Sequence, residues 1–545
     1  MKISSFPLLP RQLVCLLAAG SLLAPMPVLT PAMAQPVAPA SSASALPAMG
    51  DVSTQSLSPA AERRLGDRVM RSILGDPDVV DDPVTLEYVN DVWQDLLRSA
   101  RQRGDISTEM DELYAWRPFL VRERSVNAFA LPGGYIGVHL GLLAMTGSPD
   151  ELASVMAHEL SHVTQRHIAR MMSEQSRQSL VSLVSMILGA VAIARAPQAG
   201  QALIVGGQAA SIQGQLNFSR DMEREADRVG FGVLTDAGFS PAGMAQMFEH
   251  LQTASRLNDD NSYPYLRTHP LTTERIGEAR SRLGTSGWNP NAPVSAEEQA
   301  WTARHAMLSA RAKALMDIRS ASLQPLVAPN VHPDMSPLQS IAQYYLSAVA
   351  SRMLRDGAQA SASLKAARER LPLLPEAQRA EVDRLLTLEE VDLDVSARQA
   401  WVATNLLHAA PSRNSLITPT GRPELLLAAQ AALNLPDTAG ARSAIQDTAT
   451  RLQTHVSAHP LDATAWAALA PLWQRLGYPL RAVRAEAEAT AANGDLPGAI
   501  DRIEGGRKLV KRPSDDEAIE LSVMQSRLRA WQRQQREDMK EDGAP

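Results

Sequence analysis

The sequence predicts a mainly α (α+β) protein: an α+β domain holding a small β-hairpin or sheet, followed by an all-α array of helical hairpins. Three observations carry this expectation. Aromatic residues are only 4% of the 545 residues while hydrophobic content is 45%, a balance that suits Ala- and Leu-rich helices better than a β-sandwich. Ser148-Pro149-Asp150-Glu151 spells a helix start, with an N-cap Ser, Pro at the first helical position and Glu three residues after the cap as in a capping box. After Arg280 the character changes: Gly284 to Pro293 reads as a loop or linker, and from Ala296 to about Arg533 the pattern is one of helical hairpins.

Taken in order, the amino terminus reads as an export signal. Lys2 and Arg11 precede the apolar run Leu13 to Ala19, and Ala32-Met33-Ala34 offers small residues for cleavage before Gln35, so residues 1–34 are expected to be removed. Cys15 is the one cysteine, and no lipoprotein box precedes it. The mature chain is therefore expected to carry no thiol and no disulfide, which suits an oxidising compartment. Residues 35–59, dominated by Pro, Ala and Ser, read as a flexible leader. The net charge of -6 argues against nucleic acid as a partner.

The segment 60–285 holds the chemistry. His158-Glu159-Leu160-Ser161-His162 places two histidines four apart, on one face of a helix. Both imidazoles can bind one Zn²⁺ per chain, with Glu159 beside the metal to take a proton from bound water. Leu152, Val155, Met156 and Val163 supply an apolar side at helical spacing. A catalytic zinc takes three protein ligands. His167 is the nearest candidate, but a metzincin-type site needs its third His at the position of Ile168, so His167 reads as solvated, one turn further along. Downstream, Ser219 can cap a second helix with Met222, Ala226, Val229 and Val233 inside. Glu223 and Asp227 share a face of that helix: Glu223 is the expected third ligand, and Asp227 the acceptor for the outer N–H of a zinc-bound histidine. Between the two helices, Leu180 to Ala194 is too short to span a bilayer. Residues 180–212 are expected to form a helical hairpin that covers the cleft or touches a membrane surface.

These motifs resemble the gluzincin-type zinc endopeptidases that include the CAAX prenyl proteases, the HtpX heat-shock proteases and their soluble relatives. The resemblance implies His158, His162 and Glu223 as metal ligands and Glu159 as general base. Asn127-Ala128-Phe129-Ala130-Leu131-Pro132-Gly133-Gly134-Tyr135-Ile136 is similar to the strand and hairpin before that family's catalytic helix. It implies an edge strand at Asn127, Ala128 and Phe129 that binds extended substrate. Thr268-His269-Pro270 and Arg275 match its downstream element, which implies His269 and Arg275 near the metal. Either could donate to the charge of the tetrahedral intermediate. His269 has a second possible role, displacing water from the open position and keeping the enzyme latent.

In the region 296–535, Trp466, Leu469, Trp473, Gly477, Ala482 and Ala489 stand at tetratricopeptide spacings, with Ala470 where the first Gly of that consensus is expected. Leu346, Gly357 and Ala362 give a weaker copy, and Gly494 with Ala499 repeats the turn-to-helix spacing. An export signal, a zinc endopeptidase and repeat helices, in that order, are similar to the periplasmic β-barrel assembly-enhancing proteases. That likeness implies polypeptide substrates, namely unfolded or misassembled outer-membrane proteins, a chaperone-like role, and contact with the β-barrel assembly machinery through the repeats. Two other readings are a membrane-associated protease of the HtpX or CAAX type and a chaperone or scaffold with a structural zinc. Retention of Glu159, which binds no metal, argues against the last.

Overall fold

The computed structural model describes residues 57–173, 219–257, 263–409 and 421–541. The expected export signal, nearly all of the leader and the expected hairpin at 180–212 lie outside these residues. The described chain is mainly helical with one four-stranded sheet. Among the described residues no helix is long and apolar enough to cross a membrane.

Helix α1 (Pro59–Leu74) starts at Ser58, whose side chain accepts from Ala61 N–H. Strand β1 (Val79–Val80) leads to α2 (Pro83–Arg103), capped by Asp82. Strands β2 (Arg117–Val121), β3 (Ala128–Leu131) and β4 (Tyr135–His139) complete a sheet of order β1-β2-β4-β3, with β2 and β4 parallel and the other pairs antiparallel. Among the described residues β3 pairs only with β4 and so forms an edge. Its register sets which residues face out. His139 N–H donates to Asn127 O at 3.1 Å, and Phe129 lies opposite Gly137. Asn127 and Phe129 thus turn their backbone to β4, whereas Ala128 and Ala130 turn theirs outward.

Helix α3 (Pro149–Thr164) follows the expected cap: Ser148 Oγ accepts from Glu151 N–H at 3.2 Å, with Pro149 at the first helical position. The capping box is not closed as expected, because Glu151 Oε2 takes the N–H of Gly147 at 2.8 Å rather than that of Ser148. Nor does α3 have a single apolar side. Pro149 and every residue from Glu151 to Thr164 are buried, as befits a helix enclosed on all sides. Helix α4 (His167–Ser173) follows, then α5 (Arg220–Asp236), α6 (Ala242–Leu257) and α7 (Thr273–Thr285). Met222, Ala226, Val229 and Val233 of α5 are all buried, as the spacing predicts. At Gly230 α5 packs closely on α3: a Cβ there would stand 3.1 Å from Ala157 O and 3.2 Å from His158 N. A side chain there would press the backbone of the histidine motif outward by a few tenths of an ångström.

The helices after the exposed 284–293 segment are not a separate core. One apolar cluster runs from Val84 on α2 to Ala431, and it includes α3 and the next helix, α8 (Ala296–Leu315). Trp301 of α8 meets Tyr88 at 5.8 Å and Phe239 at 5.5 Å between ring centroids. His305 lies 2.7 Å from Tyr88 Oη and 2.9 Å from Thr146 O. Buried ion pairs continue the junction through α11 (Glu376–Ser396) and α13 (Arg422–Leu433), with α9 (Pro337–Met353), α10 (Gly357–Arg368) and α12 (Ala400–Ala409) alongside. Arg384, 1% exposed, binds Glu87 of α2 at 2.8 Å and Glu424 of α13 at 2.7 Å. Arg311 similarly joins Asp82 and Glu389.

Next come α14 (Ala439–Ala458), α15 (Ala463–Leu476), α16 (Pro479–Ala492), α17 (Leu496–Gly506) and α18 (Asp515–Glu541). Trp466, Leu469, Ala470, Trp473, Ala482 and Ala489 share one buried cluster, and Gly477 takes the left-handed conformation (φ 85°) at the α15–α16 turn. The weaker copy departs from its pattern at Ala362, which is exposed; α10 buries Ala360, Ser363, Leu364 and Ala367 instead.

Candidate metal centre

Helices α3 and α5 and the turn before α7 converge on one buried cluster. Ligand atoms of His158, His162, Glu223 and His269 all lie within 4.8 Å of one another, and each residue is buried. His158 and His162 face inward from successive turns of α3, their Nε2 atoms 3.0 Å apart. Glu223 meets them from α5: its Oε2 is 3.5 Å from His158 Nε2 and its Oε1 3.5 Å from His162 Nε2. His269, at the C-terminus of the short helix Tyr265–Thr268, puts Nδ1 2.9 Å from Glu223 Oε1 and 3.3 Å from His158 Nε2. Its ring is stacked on Tyr265, centroids 4.7 Å apart.

The outer groups orient these donors. Asp227 Oδ1 is 3.0 Å from His158 Nδ1, which makes that nitrogen the N–H and leaves the Nε2 lone pair pointing inward. Arg275 holds Asp227 with two bonds of 2.7 Å, from Nε and Nη2. Its Nη1 donates to Pro270 O at 3.0 Å and lies 2.8 Å from Glu223 Oε2, an ion pair that lacks hydrogen-bond alignment. Arg275 thus clamps Glu223 and Asp227 of α5 rather than opening toward a reacting group.

Charge in the site follows from burial and pairing. Burial opposes charge on His158, but the carboxylates of Asp227 and Glu223 outweigh it and raise its pKa to about 9. Burial also opposes charge on Asp227, yet hydrogen bonds from Arg275 and His158 bring it down to about 2. Glu159 moves the other way: burial lifts it above the ordinary carboxylate range, although His269 and His158 pull against that. Its Oε2 accepts the outward N–H of Ala130 at 3.1 Å. Its Oε1 has no hydrogen-bond partner and lies 3.4 Å from His269 Nε2.

A divalent metal fits this donor set. Two inward imidazole lone pairs 3.0 Å apart repel unless a proton or a cation lies between them, and the Glu223 carboxylate 3.5 Å from each nitrogen adds negative charge at the same place. A tetrahedral ion with bonds of about 2.0–2.1 Å to nitrogen sets its ligand atoms roughly 3.3 Å apart, close to the spacings seen here.

The sequence-derived site residues come together, with three qualifications. Phe129 does not line an open pocket: its ring covers Gly137, beside Phe119 at 5.8 Å and His139 at 6.0 Å. The outward backbone groups of the edge strand belong to Ala128 and Ala130 instead of Asn127 and Phe129. His167 is not solvated. It is fully buried, with Nδ1 2.8 Å from His162 Nδ1 and Nε2 3.1 Å from Glu225 Oε2, and burial lowers its pKa to about 4. Sequence reasoning missed His167, Glu225 and Tyr265, because none of them stands at helical spacing from the motif.

Comparison with known proteins agrees with this geometry. The model for peptidase family M48 matches residues 88–283. The putative beta-barrel assembly-enhancing protease of Vibrio cholerae serotype O1 is 40% identical over 242 residues, which is 44% of this chain and 47% of that protein. The beta-barrel assembly-enhancing protease of Escherichia coli K12 is 37% identical over 249 residues, 45% of this chain and 49% of that protein. The mitochondrial metalloendopeptidase OMA1 of Arabidopsis thaliana is 30% identical over 197 residues, 36% of each. The chain thus matches the two bacterial relatives over about half of their length. Both motif helices, Glu159, His269 and Arg275 lie inside the stretch 88–283 that is similar to peptidase family M48.

Proposed function

We propose that this chain is an exported zinc-dependent endopeptidase of the periplasm. Its helical region after 296 serves as a recognition module for unfolded or misassembled outer-membrane β-barrel proteins, which it degrades or helps to assemble. The observation that carries the reading is Glu159: a buried carboxylate with one oxygen unpartnered, facing a set of metal donors to which it does not belong. A structural site has no use for such a group. The bacterial relatives support the assignment to β-barrel assembly, and contact with the assembly machinery through the helical region extends the same reading.

Each residue then has a task. His158, His162 and Glu223 would hold the zinc, which when bound would polarise the scissile carbonyl and lower the pKa of a bound water to about 7. Glu159 takes the proton of the attacking water and passes it to the leaving amine. Ala128 and Ala130 offer their outward N–H and C=O groups to an extended substrate, while Asn127 and Phe129 hold that strand to β4. A substrate carbonyl that takes the Ala130 N–H releases Glu159 Oε2 for its work as base. Arg275 is a positioning residue, since its nitrogens are committed to Asp227, Glu223 and Pro270.

The test is metal content together with casein cleavage by the full chain. Glu223→Ala is expected to lower zinc occupancy and cleavage together, and Asp227→Asn to weaken zinc affinity by roughly 10- to 100-fold while the site still fills at high zinc. Full zinc occupancy and unchanged cleavage in Glu223→Ala would sink the assignment of the third ligand.

His269 admits a second reading, because four protein donors close a zinc site whereas three leave room for water. As a gate, His269 holds the enzyme latent, and His269→Ala keeps zinc and cleaves casein faster. As a transition-state donor, its removal lowers cleavage by about 10²-fold. Its place 2.9 Å from Glu223 Oε1 favours the gate. A fall in initial rate with zinc content unchanged would discard the gate.

A further inference from the structure

The two motif histidines are oriented by different means. His158 has the Asp227 carboxylate on its outer nitrogen, whereas the outer nitrogen of His162 meets another imidazole, His167, whose far nitrogen lies against Glu225. Arg170 in turn binds the same Glu225 oxygen at 2.8 Å.

His167 does not reach this position by helical continuation. Five residues along an unbroken helix would put it about 140° around the axis from His162. The helix stops at Thr164 instead, and Arg166 takes a left-handed conformation (φ 53°) that a side chain seldom adopts. Arg166 is held there by Glu62 at 3.1 Å and by the carbonyl of Leu57. The turn folds His167 back beneath His162, where it is fully buried.

We infer that His167 and Glu225 form a relay that fixes the tautomer of His162 and thereby prepares it as a metal ligand. The inference rests on the metal-site reading above and deepens it. A carboxylate only accepts, so Glu225 requires the proton of His167 on Nε2. The Nδ1 of neutral His167 is then an acceptor. His162 must donate to it from Nδ1, which leaves the His162 Nε2 lone pair inside the site. One carboxylate therefore sets the proton position two rings away. Both rings of the motif are held in the metal-binding tautomer, one by a carboxylate directly and the other through an intervening imidazole.

Zn²⁺ affinity of the full chain, measured by competition with a chromogenic chelator, tests the relay, alongside the melting temperature of the metal-free protein. His167→Ala is expected to weaken Zn²⁺ binding roughly 10- to 100-fold. His167→Asn, which keeps an acceptor where Nδ1 stood, is expected to recover most of that loss. Glu225→Gln offers the far nitrogen a donor as well as an acceptor and so admits the wrong tautomer; about a tenfold loss is expected, with the metal-free melting temperature unchanged. If His167→Ala does not fold, His167→Asn and Glu225→Gln still decide. The relay is overturned if Glu225→Gln binds Zn²⁺ as tightly as wild type, or if His167→Asn binds as weakly as His167→Ala. Failure of the underlying metal reading looks different: wild type, His162→Ala and Glu223→Ala would then share one weak affinity.

Discussion

Replacing Glu159 with glutamine is expected to leave zinc bound and to lower casein cleavage by about 10²- to 10⁴-fold, the range lost when a positioned general base is removed. The amide keeps a carbonyl oxygen to accept the Ala130 N–H, which Glu159 Oε2 now takes at 3.1 Å, so edge strand and helix stay together. Only the capacity to carry a proton disappears. Initial rates and zinc content measured on the same preparation check the expectation. Activity within a factor of about three of wild type would remove Glu159 from the mechanism, whatever the metal content.

The second large effect concerns the junction between α2 and the helices beyond 296. Arg384 is 1% exposed and binds Glu87 and Glu424 at once. Arg384→Ala leaves two buried carboxylates facing each other and is expected to cost about 3–5 kcal/mol in urea unfolding. Burial already lifts Glu87 above the ordinary carboxylate range, against the pull of Arg384 and Arg304, and loss of Arg384 lifts it further. A group whose folded pKa exceeds its unfolded value contributes stability at low pH and loses it as pH rises through the folded pKa. The cost of the substitution is therefore expected to be larger near about pH 7.5 than near about pH 5. A penalty below about 1 kcal/mol, or one that grows on acidification, would show that the pairs do not hold the junction.

Local chemistry was legible in the chain itself. Ser148 and Pro149 start α3, Ser219 starts α5, and spacings of four residues put His158 with His162 and Glu223 with Asp227 on single helix faces. Short-range stereochemistry determines such features, so the residues of the buried cluster His158, His162 and Glu223, with Glu159 beside it, could be named from the sequence. The mainly helical character and the hairpin that ends in β4 were legible for the same reason. What required the tertiary structure depends on contacts distant in the chain or on a departure from regular geometry. His167 appeared solvated because a regular helix would carry it away from His162; the left-handed Arg166, held by Glu62 more than a hundred residues earlier, reverses that. Arg275 appeared free to meet the reacting group, but its guanidinium is committed to Glu223 and Asp227 of α5. The outward role of Ala128 and Ala130 follows from strand register, which pairing with β4 sets and local preference does not. The loop at 284–293 reads as a boundary in composition, yet α8 beyond it buries Trp301 and His305 against α2, because apolar surface joins whichever core it can reach.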